Sequence, residues 1–201
     1  MIFRILFAGL FIALLSACTT LPDGPETAVN LPSQLEKLKS VTRWQMKGKM
    51  AIRNEKEAVS AHVNWKTDEP DFNFRLTNML GITLANIDFS DGMATLEADD
   101  KRWQDTSPAR LIYQTTGWDI PAGKLLNWVK GLPLRGDDYK LNDKQLLASL
   151  SPGCEACGNW QVSYSNYGEE AGLWLPHQLM LTRTDNTKIW IKIRIDEWTI
   201  Q

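Results

Sequence analysis

The feature that most constrains the fold is a period-two alternation of apolar and polar side chains that recurs along most of the chain. Trp44, Met46, Gly48, Met50 and Ile52 alternate with Gln45, Lys47, Lys49, Ala51 and Arg53. Val59, Ala61, Val63 and Trp65 alternate with Ser60, His62, Asn64 and Lys66, and Ile189, Ile191, Ile193 and Ile195 with Trp190, Lys192 and Arg194. Successive side chains of a strand point to opposite faces, so such runs predict antiparallel strands with one buried and one wet face. Polar turns at 54–57, 68–70 and 90–92 separate them. Further strands are expected at 72–76, 82–89, 93–98 with 102–103, 137–142, 145–151, 160–166, 175–183 and 187–195, with a short last one at Trp198, about eleven in all.

Three helices interrupt this pattern. Ser33-Gln34-Leu35-Glu36 has the form of a capping box, and Leu35, Leu38 and Val41 follow at helical spacing. Ser107-Pro108 reads as an N-cap followed by proline at the first helical position, leading into 109–115. A third helix runs from Pro121 through Trp128 and Val129 to a stop at Gly131 and Pro133, with Leu125, Leu126, Trp128 and Val129 as its apolar side. No period of 20–50 residues repeats. The fold class is α+β: one large curved antiparallel sheet with about three helices on one face. A strongly curved sheet under helices encloses either a filled core or a cavity. The nine tryptophans suit both, since large aromatics bury much area each.

The N-terminus sets where such a domain works. Arg4 precedes an apolar run over 5–15, then Leu15-Ser16-Ala17-Cys18. A basic residue, a short apolar stretch and small residues form an export signal, and the stretch is shorter than the roughly 20 residues of a membrane span. Leu-Ser-Ala-Cys resembles the lipobox of bacterial lipoproteins. That resemblance implies a signal peptide over 1–17, removal before Cys18, and acylation of Cys18. Several acyl chains hold a protein on a membrane stably. Thr19, where many inner-membrane lipoproteins carry aspartate, resembles an outer-membrane address. Residues 18–32, with Pro22, Gly24, Pro25 and Pro32, read as lipidated cysteine plus tether, leaving 33–201 as the domain.

Without residues 1–17 only Arg4 is lost, so 21 basic side chains face 24 acidic ones. This balance gives no reason to expect nucleic acid, and no run of like charges suggests a polybasic membrane patch. Cys154 and Cys157 lie in a Gly/Pro-rich turn, Pro152-Gly153-Cys154-Glu155-Ala156-Cys157-Gly158. A short-loop disulfide, a free pair and a redox motif are open readings; a zinc site lacks ligands, because His62 and His177 sit in strand patterns. No nucleophile elbow, phosphate loop, zincin or dinucleotide fingerprint occurs, so neither an enzyme nor a cofactor is expected. Asp99-Asp100 and Asp137-Asp138 read as solvated turns. Met79-Leu80 sits between Asn78 and Gly81. It is either a strand that continues with core side chains or a loop that exposes them, which forgoes about 1.5–3 kcal/mol per leucine.

Together, the lipobox, Leu76-Thr77-Asn78-Met79-Leu80-Gly81, Trp128-Val129-Lys130-Gly131-Leu132-Pro133, Asp138-Tyr139-Lys140-Leu141 and the closing stretch 193–198 resemble the LolB family of outer-membrane lipoprotein receptors. Asn-x-Leu-Gly and Trp-x-x-Gly-Leu-Pro are specific in combination; the Cys154/Cys157 pair lies outside the pattern. The resemblance implies an incomplete antiparallel barrel with a helical lid over a hydrophobic cavity. It implies a monomer on the periplasmic side of the outer membrane that accepts lipoproteins from the carrier LolA, holds their acyl chains, and inserts them into outer-membrane lipid. Leu80 matches the family's protruding membrane-insertion leucine. Alternation then nominates Trp65, Phe72, Phe74, Leu76, Ile191 and Ile193, with Leu125 and Trp128 of the third helix, as the acyl-chain cavity. Two alternatives are a lipid-binding or sensing lipoprotein without a delivery role, and an esterase, which the missing nucleophile motif disfavours.

Overall fold

The alternating runs all become strands, and they join into a single open sheet. In the computed structural model, which describes residues 24–117, 120–153 and 159–201, the strands are β1 (Arg43–Arg53), β2 (Ala58–Asp68), β3 (Asp71–Thr77), β4 (Thr83–Ser90), β5 (Met93–Ala98), β6 (Lys101–Asp105), β7 (Asp138–Leu141), β8 (Leu147–Ser151), β9 (Trp160–Glu170), β10 (Leu173–Arg183) and β11 (Trp190–Ile200). They form one antiparallel sheet in the order β6-β5-β4-β3-β2-β1-β11-β10-β9-β8-β7. All neighbours but one pair are consecutive in sequence. The exception joins β1 to β11, so the two ends of the domain meet in the middle of the sheet. β6 and β7 are the two edges and do not pair with each other.

The chain crosses from one edge to the other through residues 106–137, and this crossing carries α2 (Pro108–Thr116) and α3 (Ala122–Trp128). Ser107 caps α2, its hydroxyl accepting from the Arg110 N–H at 3.3 Å, and Gly117 ends it at φ +71°. α1 (Leu31–Ser40) packs near β10. It starts three residues earlier than the Ser33 box predicts. Asn30 is its cap, accepting from Ser33 N–H at 3.0 Å, and Pro32 stands in the first turn where its missing N–H costs nothing. Residues 25–29, expected as part of a tether over 18–32, contact the domain. Pro25 is buried, Val29 N–H donates to the Lys144 carbonyl at 3.0 Å, and Lys144 Nζ donates to the Glu26 carbonyl at 2.8 Å. Composition suggests a linker there, but it does not register docking against the β7–β8 loop. Residues 1–17, expected as a signal peptide, and Cys18, Cys154 and Cys157 lie outside the described residues.

β11 is one strand rather than two, because of a bulge. Lys47 pairs with Glu197 and Gly48 with Ile195, leaving Asp196 as the extra residue. The bulge reverses the parity of the strand, so Ile191, Ile193 and Ile195 and then Trp198 all point inward. Gly48 is the residue that allows it: a Cβ there would stand 2.0 Å from the Arg194 carbonyl oxygen. Trp198, Trp44 and Trp65 then meet edge to face across β11, β1 and β2, with ring centroids 5.5 and 5.3 Å apart.

Candidate functional site

β3 contributes most to the site. Its inward side chains Phe72, Phe74 and Leu76 line a cavity, and the same strand then runs out into an exposed turn. Trp65 of β2 meets Phe74 at 5.4 Å and 86° and Phe72 at 6.3 Å, forming the aromatic wall. Ile87 of β4, Leu96 of β5 and Ile191 of β11 continue it around the sheet. Ile112 of α2, Ile120 just before α3 and Leu125 of α3 close it from above. The cavity holds about 210 Å³, and among the described residues every lining side chain is apolar. An apolar cavity of about 150 Å³ stays dry and accepts hydrocarbon. The described wall holds no acid, base or nucleophile, and its chemistry is that of a shelter for a hydrocarbon chain.

Of the eight side chains nominated from the sequence, Trp65, Phe72, Phe74, Leu76, Leu125 and Ile191 share this wall, and two do not. Trp128 is fully buried, and its indole N–H donates to Asp137 Oδ2 at 2.9 Å, toward the start of β7. Ile193, also fully buried, sits between Met50 and Leu179 in the filled part of the core. Alternation identifies the inward face of a strand, but not which part of that face the helices leave unfilled. Asp137 likewise is not a solvated turn residue. Its carboxylate accepts from Trp128, from Leu134 N–H at 2.9 Å and from Gly153 N–H at 3.1 Å.

The Met79-Leu80 segment is a turn and not a continuing strand. Asn78 builds it: its Oδ1 accepts from Leu80 N–H at 2.9 Å and Ile82 N–H at 3.0 Å, and its backbone bonds to Ile82 and Gly81. Gly81 takes φ +80°, a conformation that costs glycine little. Met79 is 92 % exposed, Leu80 84 % and Ile82 59 %. The sequence pointed to Met79 and Leu80 together, and the family resemblance to Leu80. The exposed apolar surface extends beyond that turn to Ile82 and part of Leu84; a shift in register between β3 and β4 leaves Leu84 outside the pairing. Contiguous apolar exposure of this kind marks a surface that meets another apolar phase.

Two polar anchors hold the helices over the cavity. Lys130, just past α3 and 1 % exposed, donates to Glu69 Oε1 at 2.9 Å and to the Val41 carbonyl at 2.7 Å. At the start of α2, Arg110 binds Asp105 through Nε and a terminal nitrogen at 2.6–3.0 Å. That guanidinium, with the Ser107 N–H, holds the Asp105 carboxyl down at about 2. Neither anchor was singled out in the sequence; Lys130 lies inside the Trp-x-x-Gly-Leu-Pro element without any pattern of its own. His62 is exposed on the outer face of β2, and His177 bonds the Ile195 carbonyl at 2.9 Å, so neither faces the cavity.

Comparison with known proteins agrees with this geometry. The family profile described as Outer membrane lipoprotein LolB matches residues 42–198. The outer-membrane lipoprotein LolB of Aeromonas hydrophila is 33 % identical over 201 residues, covering 100 % of this chain and 98 % of its own. That of a Marinomonas strain is 30 % identical, with 100 % of both chains covered. Among solved structures, a LolA-superfamily protein from Nitrosomonas europaea superposes with a TM-score of 0.56 at 9 % identity, covering 87 % of this chain and 94 % of its own. A DUF1329 family protein from Desulfovibrio piger does so with a TM-score of 0.55 at 8 % identity, covering 86 % and 91 %. The open eleven-stranded sheet with its helical cover is thus a shared fold. The sequence match over nearly the whole length is what decides the family: the chain belongs to the LolB family of outer-membrane lipoproteins.

Proposed function

We propose that this protein accepts lipoproteins from the periplasmic carrier LolA, shelters their acyl chains in the cavity under α2 and α3, and inserts them into the outer membrane, itself anchored through acylated Cys18. One observation carries the reading: β3 lines the apolar cavity with Phe72, Phe74 and Leu76 and leads directly into the exposed Met79-Leu80 turn. A storage site and an apolar projection lie on one strand. The family membership supports the lipoprotein-localisation role, and a wholly apolar wall suits a function without covalent chemistry.

The steps are physical. Exposing an acyl chain to water is unfavourable, so the chain moves only between apolar environments. Transfer runs downhill when this cavity binds the chain better than the carrier does and the bilayer binds it better still. The Met79-Leu80 turn lets the protein enter the lipid interface beside the point of release. A lipid sensor would need the cavity but not the projecting turn, and this favours delivery over sensing.

Depletion of the protein in its own cell is the test. A receptor's loss makes other lipoproteins accumulate in the periplasm bound to LolA, whereas normal arrival of lipoproteins at the outer membrane removes the delivery role. Cys18→Ala should abolish incorporation of radioactive fatty acid, and persistent labelling would show that another residue carries the lipid.

A further inference from the structure

The outer face of the sheet, opposite the cavity, carries a groove of about 300 Å³ whose wall includes Lys49, His62, Met79, Lys192 and Arg194. We propose that this groove docks the phosphate groups of an anionic bilayer, seating headgroups on Lys49, Lys192 and Arg194 while the adjoining Met79-Leu80 turn enters the acyl region. The proposal rests on the reading of that turn as the membrane-entering element.

The register concentrates positive charge here. Lys49 on β1 is the direct cross-strand partner of Arg194 on β11 and of His62 on β2, and Lys192 lies two residues from Arg194 on the same outer face. Like charges placed opposite each other on neighbouring strands are destabilising. Arg194 is bound to Asp196, Nε to Oδ1 at 2.8 Å, and on the flank Lys47 pairs with Glu197 at 2.9 Å. Lys49 and Lys192 have no hydrogen-bond or ion-pair partner among the described residues. On the β10 side the facing residues are Gln178 and Met180, which bring no acid. Asp196 offsets Arg194, and the charges of Lys49 and Lys192 stand without a counter-charge among the described residues, in a chain whose net charge is −2.

Met79 ties the cations to the apolar turn, because it forms part of the groove wall while being 92 % exposed. A bilayer surface offers acyl carbon and phosphate side by side, which is the pairing this face presents. An acidic protein surface would match the cations but leave the apolar turn in water.

The test uses the full mature lipidated protein reconstituted in vesicles, with acetylation of individual lysines followed by mass spectrometry. In vesicles containing about a third phosphatidylglycerol, Lys49 and Lys192 should be acetylated about fivefold more slowly than in pure phosphatidylcholine vesicles, since each basic residue near an anionic surface gains roughly that factor. The protection should disappear as salt rises from about 0.05 to 0.5 M. Lys101 at the far edge should react equally in both. In parallel, p-benzoylphenylalanine introduced at position 80 reports lipid contact by crosslinking. A lipid crosslink without protection of Lys49 and Lys192 overturns the groove and leaves the turn in place. Absence of both removes the turn reading and the groove with it. Protection that depends on added LolA and ignores lipid composition assigns the groove to a protein partner and overturns the proposal. The double variant Lys49→Gln, Lys192→Gln should take up client lipoprotein normally and deliver it no faster into anionic than into neutral vesicles.

Discussion

Lys130 and Glu69 form an ion pair at 2.9 Å that joins the end of α3 to the β2–β3 turn, with Lys130 1 % exposed and also bonded to the Val41 carbonyl behind α1. One ammonium group thus connects three segments distant in sequence, at the base of the helical cover. Removing one partner of a buried pair leaves the other uncompensated, at a cost of about 3–5 kcal/mol. Glu69 keeps some access to water, so loss of Lys130, which strands only Glu69, costs less than loss of Glu69, which strands a buried ammonium, and falls toward the lower end of that range. Lys130→Ala should lower the stability by that order, and Lys130→Met by less, because it fills the same space. Urea unfolding of the two variants checks this; equal, small losses would show that the pair does not hold the cover.

Leu80 makes the opposite prediction. Held out by the Asn78 turn and 84 % exposed, it contributes little to the folded state, and surface changes of this kind stay within about 0.5 kcal/mol. Its burial in lipid is worth about 1.5–3 kcal/mol, and 1.4 kcal/mol is about a factor of ten. Leu80→Glu should therefore keep its thermal midpoint and its uptake of client from LolA, and release client into liposomes about tenfold or more slowly. A stable variant with normal release takes Leu80 out of the mechanism.

The cavity can be tested by filling it. Ala85 of β4 lies opposite Leu76 and lines the unfilled space. Ala85→Phe puts a ring where the acyl chain would lie. Cavity-filling substitutions commonly raise stability by about 0.5–2 kcal/mol, so the variant should melt no lower than the parent while uptake of client from the carrier falls at least tenfold. Unchanged uptake would mean that acyl chains sit elsewhere.

Asp105 predicts a pH dependence. Its carboxyl is held at about 2 by Arg110 against an ordinary value of 3.8. A lowered folded-state value means that the stabilisation is complete above the unfolded value and is lost as pH falls through the folded one. The difference in melting temperature between the parent and Asp105→Asn should stay constant down to about pH 5 and shrink as the pH drops from about 4 toward 2. A difference that persists undiminished at the acid end would show that the bond to Arg110 does not depend on the carboxylate charge.

The sequence by itself determined the strands, because alternation at period two leaves each run only one way to bury Trp44, Met46, Met50, Val63 and Trp65 together. It determined α2, whose Ser107-Pro108 start is a local chemical signal, and it narrowed Met79-Leu80 to two readings that differ in exposure. Tertiary structure decided the rest. The Asp196 bulge, opposite Gly48, depends on a pairing between β1 and β11 that are far apart in the chain. The unfilled part of the interior depends on where α2 and α3 lie, which is why Trp128 and Ile193 pack into the core while Trp65 and Ile191 face the cavity. The cationic groove leaves no trace as a run of like charges, since Lys49 joins Lys192 and Arg194 only when β1 and β11 pair. Periodicity fixes which face a side chain takes; only the pairing of distant strands fixes what stands opposite it.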